Sequence, residues 1–220
     1  MSLDPLSAGR PRADARRWWA LAALALSVLV VGLDLFVLSL ALPTLSRDLH
    51  ASSADLQWFV DAYTLVLAAA LLPAGLLGDR LGRKKLLGWA LALFGVASLA
   101  CAYSRSAGEL IAARAVLGLA AAVILPMALA VLPVLFTPAE RSRAIAVVGG
   151  ATFLGYPIGP IVGGWLLDHF WWGSVFLINV PVMLLLILSG SALLIESRDP
   201  APGRLDLLSL LLVEVGLFGA

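Results

Sequence analysis

Three ionisable residues stand inside stretches that are otherwise apolar: Asp34, Asp61 and Arg114. A charge placed in hydrocarbon costs at least ~2.5–3.5 kcal/mol on insertion scales, so each is expected to face a protein interior and to carry a role. Asp34 precedes Pro43 by nine residues, Asp61 follows Asp55 by six, and Arg114 follows Glu109 by five. At ~1.5 Å per residue they lie roughly 13, 9 and 8 Å below one end of their segments. All three therefore fall in the same half of a bundle, placed to meet around one cavity. Burial opposes a carboxylate's charge and a nearby guanidinium favours it, so such an Asp can exchange a proton for a cation. Asp34 is the first candidate for that step, with a structural hydrogen bond as the alternative. Asp61 is shallower, and a charge near a helix end can simply reach the interface.

The elements that must hold these groups are apolar runs. Of the 220 residues 61% are hydrophobic and 13% charged, with a net charge of +1. That balance excludes an ordinary soluble domain, a disordered chain and a nucleic-acid binder. Cys101 is the single cysteine, so no internal disulfide and no cysteine-based metal site is expected. Six runs, at 18–42, 55–77, 86–103, 109–136, 142–167 and 174–195, each approach the ~20 residues that cross a bilayer. Without water to satisfy the backbone they must be helices. The expected class is an all-α polytopic membrane protein, with a tail at 1–17, a six-helix bundle at 18–195 and a loop at 196–204. A seventh span opens at Leu205 and breaks off at Ala220, so the chain reads as a fragment. The first run is too long for a signal peptide and holds Asp34.

Cations give the orientation. Twelve of the fifteen fall on one side: Arg10, Arg12, Arg16 and Arg17; Arg80, Arg83, Lys84 and Lys85; Arg141 and Arg143; Arg198 and Arg204. Only Arg47 and Arg105 fall on the other, which puts the N-terminus in the cytoplasm. Trp18, Trp19, Trp58, Trp165, Trp171 and Trp172 fall near span ends, as interfacial rings do. A shift of 90 residues lays spans 1–3 on spans 4–6 with matching lengths. Three-span units repeated in this way have opposite topology, the inverted repeat of secondary transporters.

Between spans 2 and 3 runs Gly75-Leu-Leu-Gly78-Asp79-Arg80-Leu-Gly82-Arg83-Lys84-Lys85. It is a glycine-permitted tight turn with a charge cluster. Asp79 ends a helix whose dipole disfavours an anion, so it needs nearby arginines or another helix's N-terminus. Span 5 carries Gly155-Tyr-Pro157-Ile-Gly159-Pro160-Ile-Val-Gly163-Gly164, small residues four apart that let helices approach closely.

The first string resembles the GxLaDRxGRKxxL signature of the major facilitator superfamily, with Gly78 where alanine is usual. The resemblance implies a gating loop that latches two halves together, Asp79 docking on a helix of a second half. Arg114 with Gly118 resembles the family's RxxQG motif, whose Arg is implicated in proton transfer, although Leu117 replaces the Gln. The span 5 string resembles the antiporter motif associated with exporters. Trp172 to Pro181, Asp34 with Ala41-Leu42-Pro43, and Asp61-Ala62-Tyr63 resemble the 14-span drug:proton antiporter branch, in particular exporters of quaternary ammonium compounds and methyl viologen.

What the resemblance implies is a proton-coupled exporter of lipophilic cations in a bacterial inner membrane, here as an N-terminal half that needs its missing C-terminal half or a second chain. The proton gradient is the expected energy source and no cofactor is expected. No GxxxxGK[ST], HExxH or GxSxG occurs, which argues against an ATPase or a hydrolase. The alternatives are an inactive or partner-dependent fragment and an importer of nutrients. Trp58, Tyr63, Phe36 and Phe153 could form an aromatic wall for a flat cation. His50 and His169 read as solvated, Glu214 lies in the cut-off span, and Pro126, Pro133, Pro157 and Pro160 mark expected kinks.

Overall fold

A computed structural model describes residues 10–194 of the protein. The expected loop at 196–204 and seventh span at 205–220, with Glu214, lie outside the described residues.

Seven helices follow in order: α1 (Arg10–Asp48), α2 (Ser53–Leu81), α3 (Arg83–Ala102), α4 (Ala107–Leu135), α5 (Pro138–His169), α6 (Ser174–Leu177) and α7 (Asn179–Leu193). The last two form one crossing, Ser174–Leu193, so among the described residues six helical segments are long and apolar enough to span a membrane. The first five match or outrun the length of their apolar runs, and the sixth ends at Leu193. α1 has 39 residues, ~58 Å of helix against a ~30 Å hydrocarbon core. Beyond the apolar stretch the local signals still favour helix. Ser52 and Asp55 form a reciprocal capping box at the start of α2, and the Ser106 side chain accepts the Glu109 N–H at the start of α4. Helices α4 and α5 run uninterrupted through Pro126 and Pro133, and through Pro157 and Pro160.

The widest helix pairings are α2 with α4 and α1 with α5. They exchange under the operation that lays the first three crossings on the second three, so the packing carries the symmetry expected of the repeat. Small residues set both seams. A Cβ on Gly155 of α5 would stand 3.0 Å from the Gly32 carbonyl carbon of α1. A Cβ on Gly118 of α4 would run into the Tyr63 carbonyl of α2. At such seams two backbones touch with no side chain between them, the device that packs helices where lipid offers no hydrophobic drive. The core lies along α4, where Leu117, Ala120, Ala121 and Ile124 are fully buried. α2 and α5 keep broad outward faces, including Leu72, Phe153, Tyr156 and Ile161.

Candidate functional site

At the centre of the bundle, Arg114 of α4 donates through Nη1 to the Asp34 carboxylate of α1. Both residues are withdrawn from solvent, Asp34 at 4% exposure and Arg114 at 0%. A buried guanidinium must satisfy several donors at once. Its Nε donates to the Phe59 carbonyl of α2 at 2.8 Å, and its plane lies over the Tyr63 ring, 4.4 Å from the centroid. The other Asp34 oxygen accepts from Asn179 Nδ2 at 3.4 Å, and the same amide donates to Ser98 Oγ at 3.2 Å. Residues from α1, α2, α3, α4 and α7 thus converge on one ion pair. Beside it lies a cavity of about 110 Å³ whose lining is apolar except for Asp34 and Asn179. Two buried polar atoms of the cluster, Tyr63 Oη and Arg114 Nη2, have no partner among the described residues.

Asp61 does not join this cluster. It is half-buried, and its carboxylate forms no ion pair among the described residues. On α2 the buried face carries Phe59, Ala62 and Tyr63, and one residue of helix turns a side chain by about 100°. Depth along the helix was right for a meeting; the direction around the axis was not.

In the glycine-rich turn, α2 ends at Leu81 and α3 starts at Arg83. Gly82 alone makes the reversal, at φ 104°, in the left-handed region that glycine adopts without strain. Asp79 is answered by Arg83, with Nη2 at 2.8 Å, the first of its two expected kinds of partner. Arg83 also reaches α4, donating to the Ala130 carbonyl at 2.9 Å. Lys84 donates to the Ser191 and Leu194 carbonyls, both at 2.8 Å, at the end of α7. Arg80 is exposed, and Gly75 has open space where a Cβ would stand. At Gly78 a Cβ would meet the flexible tip of Met127.

The span 5 string divides in the same manner. Gly155, Gly159 and Gly163 lie against α1, with Cβ positions 3.0 Å from Gly32, 2.8 Å from Phe36 and 3.1 Å from Val37. Gly164 meets nothing within 4 Å, and Pro157 and Pro160 are exposed. The glycine face is therefore covered by α1, and the face that α5 leaves open is the opposite one.

Residues 24–211 match the Major Facilitator Superfamily. The chain belongs to that family. Its relatives include the multidrug efflux pump LfrA of Mycolicibacterium smegmatis, 46% identical over 91% of this chain and 40% of the pump. The methyl viologen resistance protein SmvA of Salmonella typhimurium is 46% identical over 78% of this chain and 35% of that protein. The tetracenomycin C resistance and export protein of Streptomyces glaucescens is 38% identical over 92% of this chain and 38% of the exporter. The chain thus spans about two fifths of the length of these relatives. Two solved structures share the fold: a bacterial homologue of the lysosomal transporter Spinster (TM-score 0.66, 21% identity, 89% of this chain and 45% of that one) and the proton:xylose symporter XylE (TM-score 0.69, 15% identity, 81% and 45%).

As a Major Facilitator Superfamily member the chain is of transporter rather than enzyme type. Its aromatic residues fall into two groups. Tyr63 is sealed under Arg114 rather than lining an open wall, and Trp58 is half-exposed on α2. Phe36 and Phe153 are joined by Tyr156, with ring centroids 4.0 and 6.4 Å from it. Trp172 is buried, unlike the five other tryptophans expected at span ends. His50 is exposed, and His169, also exposed, stacks on Trp165 with Nδ1 2.9 Å from the Trp165 carbonyl. Sequence reading missed Asn179 and Ser98 as members of the ion-pair cluster. The available signal was polarity: each lies in an apolar run where a polar side chain needs a partner.

Proposed function

We propose that the chain is the N-terminal half of a proton-coupled exporter of lipophilic cations in a bacterial cytoplasmic membrane, its N-terminus cytoplasmic. The observation that carries this reading is the buried Asp34–Arg114 pair. An ionised carboxylate so far from water persists only while its guanidinium stays beside it. Protonating Asp34 removes the attraction and frees Arg114, so proton uptake and rearrangement of α1 against α4 are one event. Names among the relatives support the direction and the cargo: LfrA is an efflux pump and SmvA confers resistance to methyl viologen, a dication.

In this reading the proton gradient supplies the energy and no cofactor takes part. The cation enters between this half and a second one, along the faces that α2 and α5 leave open. Phe36, Tyr156 and Phe153 offer it ring faces, and cation–π attraction suits a flat lipophilic ion. Asp61, half-exposed on α2, is the second carboxylate available to a cation. Asp79, Arg80, Arg83 and Lys84 form the loop that gates the cytoplasmic side. Gly155, Gly159 and Gly163 keep α5 tight on α1 so that the two move together.

The test is a chimera in which this chain replaces the matching part of LfrA. Efflux of a fluorescent lipophilic cation that a protonophore stops, and that Asp34→Asn abolishes, is the expected result. Efflux undiminished by Asp34→Asn removes Asp34 from the coupling step. An inserted chimera without efflux removes the exporter reading. A second reading, a metabolite transporter, draws on the riboflavin transporter RibZ of Clostridioides difficile, 31% identical over 80% of this chain; flavin transport by the chimera without cation efflux would favour it.

A further inference from the structure

One cavity among the described residues belongs neither to the ion pair nor to the open faces of α2 and α5. It is a groove of about 510 Å³ between α1, α3 and α7. It exists because small residues face one another there: Ala23 on α1, Gly88 on α3 and Gly190 on α7, walled by Leu91 and Leu186. A Cβ on Gly88 would meet nothing within 4 Å.

Its chemistry is graded along its length. From Leu91 the lining passes back through Gly88 to Lys85 and Lys84 at the mouth, about 10 Å along α3 at ~1.5 Å per residue. Lys84 is committed to the end carbonyls of α7, and Arg16 donates to the Ala192 carbonyl beside them. Lys85 is exposed. No carboxylate of the described residues lines the groove. One turn above Lys85 stands Trp89, 76% exposed, where an amphipathic ring marks the membrane interface.

We propose that this groove seats an anionic phospholipid of the cytoplasmic leaflet, one acyl chain between Gly88 and Gly190 and the phosphate beside Lys85. An apolar slot open to the side takes a chain, and the exposed Lys85 at its mouth takes a negative headgroup. The assignment to that leaflet rests on the orientation given under the proposed function; the seat itself does not require transport.

The test uses the 220-residue chain purified in detergent and exchanged against micelles containing phosphatidylglycerol or phosphatidylcholine. Native mass spectrometry counts the lipid retained. Phosphatidylglycerol should be held in preference, and Lys85→Gln should lower its retention about fivefold, the effect of one lysine near an anionic surface. Gly88→Leu, which fills the slot and leaves the lysines in place, should lower retention of both lipids. Lys85→Gln lies at an exposed position, so its result does not hinge on Gly88→Leu folding. A phosphatidylglycerol with a photoactivatable acyl chain should mark residues 87–91 and 186–191. Equal retention of the two lipids, retention unchanged in both variants, or no adduct in the groove (as when residues 195–220 or a second copy fill it) overturns the proposal. Lipid retained by a chain whose chimera does not pump would overturn the exporter reading alone.

Discussion

Asp34 and Arg114, 80 residues apart in the chain, form an ion pair at the centre of the bundle with both side chains almost wholly out of solvent. Removing one member strands the other. Arg114→Met should therefore cost about 3–5 kcal/mol, read by thermal unfolding of the detergent-purified chain. Replacing both, as Asp34→Leu with Arg114→Met, should restore most of that loss, because a packed apolar pair needs no desolvation. A double variant as unstable as Arg114→Met alone would show that the network around the pair matters more than its charges.

Tyr63 separates packing from hydrogen bonding at the same place. Its ring lies under the guanidinium, while its hydroxyl has no partner among the described residues. Tyr63→Phe should leave the unfolding midpoint unchanged or slightly raised. Tyr63→Leu should cost about 2 kcal/mol through the lost cation–π contact. Equal losses in the two variants would show that the hydroxyl is bonded after all.

Two glycines form a matched test of the α2–α4 seam. At Gly118 an added methyl meets backbone, the Tyr63 carbonyl, so Gly118→Ala must part the helices and should cost about 1–3 kcal/mol. At Gly75 it meets nothing, and Gly75→Ala should be neutral or stabilise by up to about 1 kcal/mol through helix propensity. Melting curves of the two variants side by side decide this.

The span 5 string makes the same distinction against α1. Gly159→Ala places a methyl 2.8 Å from the Phe36 Cβ, and Gly164→Ala places one in open space. In the LfrA chimera the first should impair efflux and the second should not. Loss of efflux in both would mean that Gly164 serves a surface outside this bundle.

Arg83 spans Asp79 and the Ala130 carbonyl with one planar fork. Lysine keeps the charge but cannot hold both partners at once. Arg83→Lys should cost about 1 kcal/mol, since both side chains are partly solvated. Raised salt should shrink the difference between the two proteins.

The spans were legible because apolar run length is a one-dimensional property and the bilayer leaves few structures to choose from. Helix ends were less so: capping at Ser52 and Ser106 carries α2 and α4 past their apolar runs. That Arg114 needed a partner followed from its place in hydrocarbon, and Asp34 was at a suitable depth. The rest of the cluster depended on direction around each helix axis. Asp61 and Tyr63 are two residues apart on α2, and only the second faces inward. Near-identical depth gave no hint of that, and the apolar run around Asn179 did not reveal that its amide would reach both Asp34 and Ser98. In the glycine string, spacing predicted a packing face but not that α1 would be the helix to cover it.

The end of α7 bears on how the protein is made. Its last carbonyls are received by Lys84 and Arg16, residues synthesised about 110 and 175 positions earlier. By the time the sixth crossing is synthesised, the cations that cap it have already been made. The six crossings are therefore closed on one another by contacts made wholly within residues 10–194.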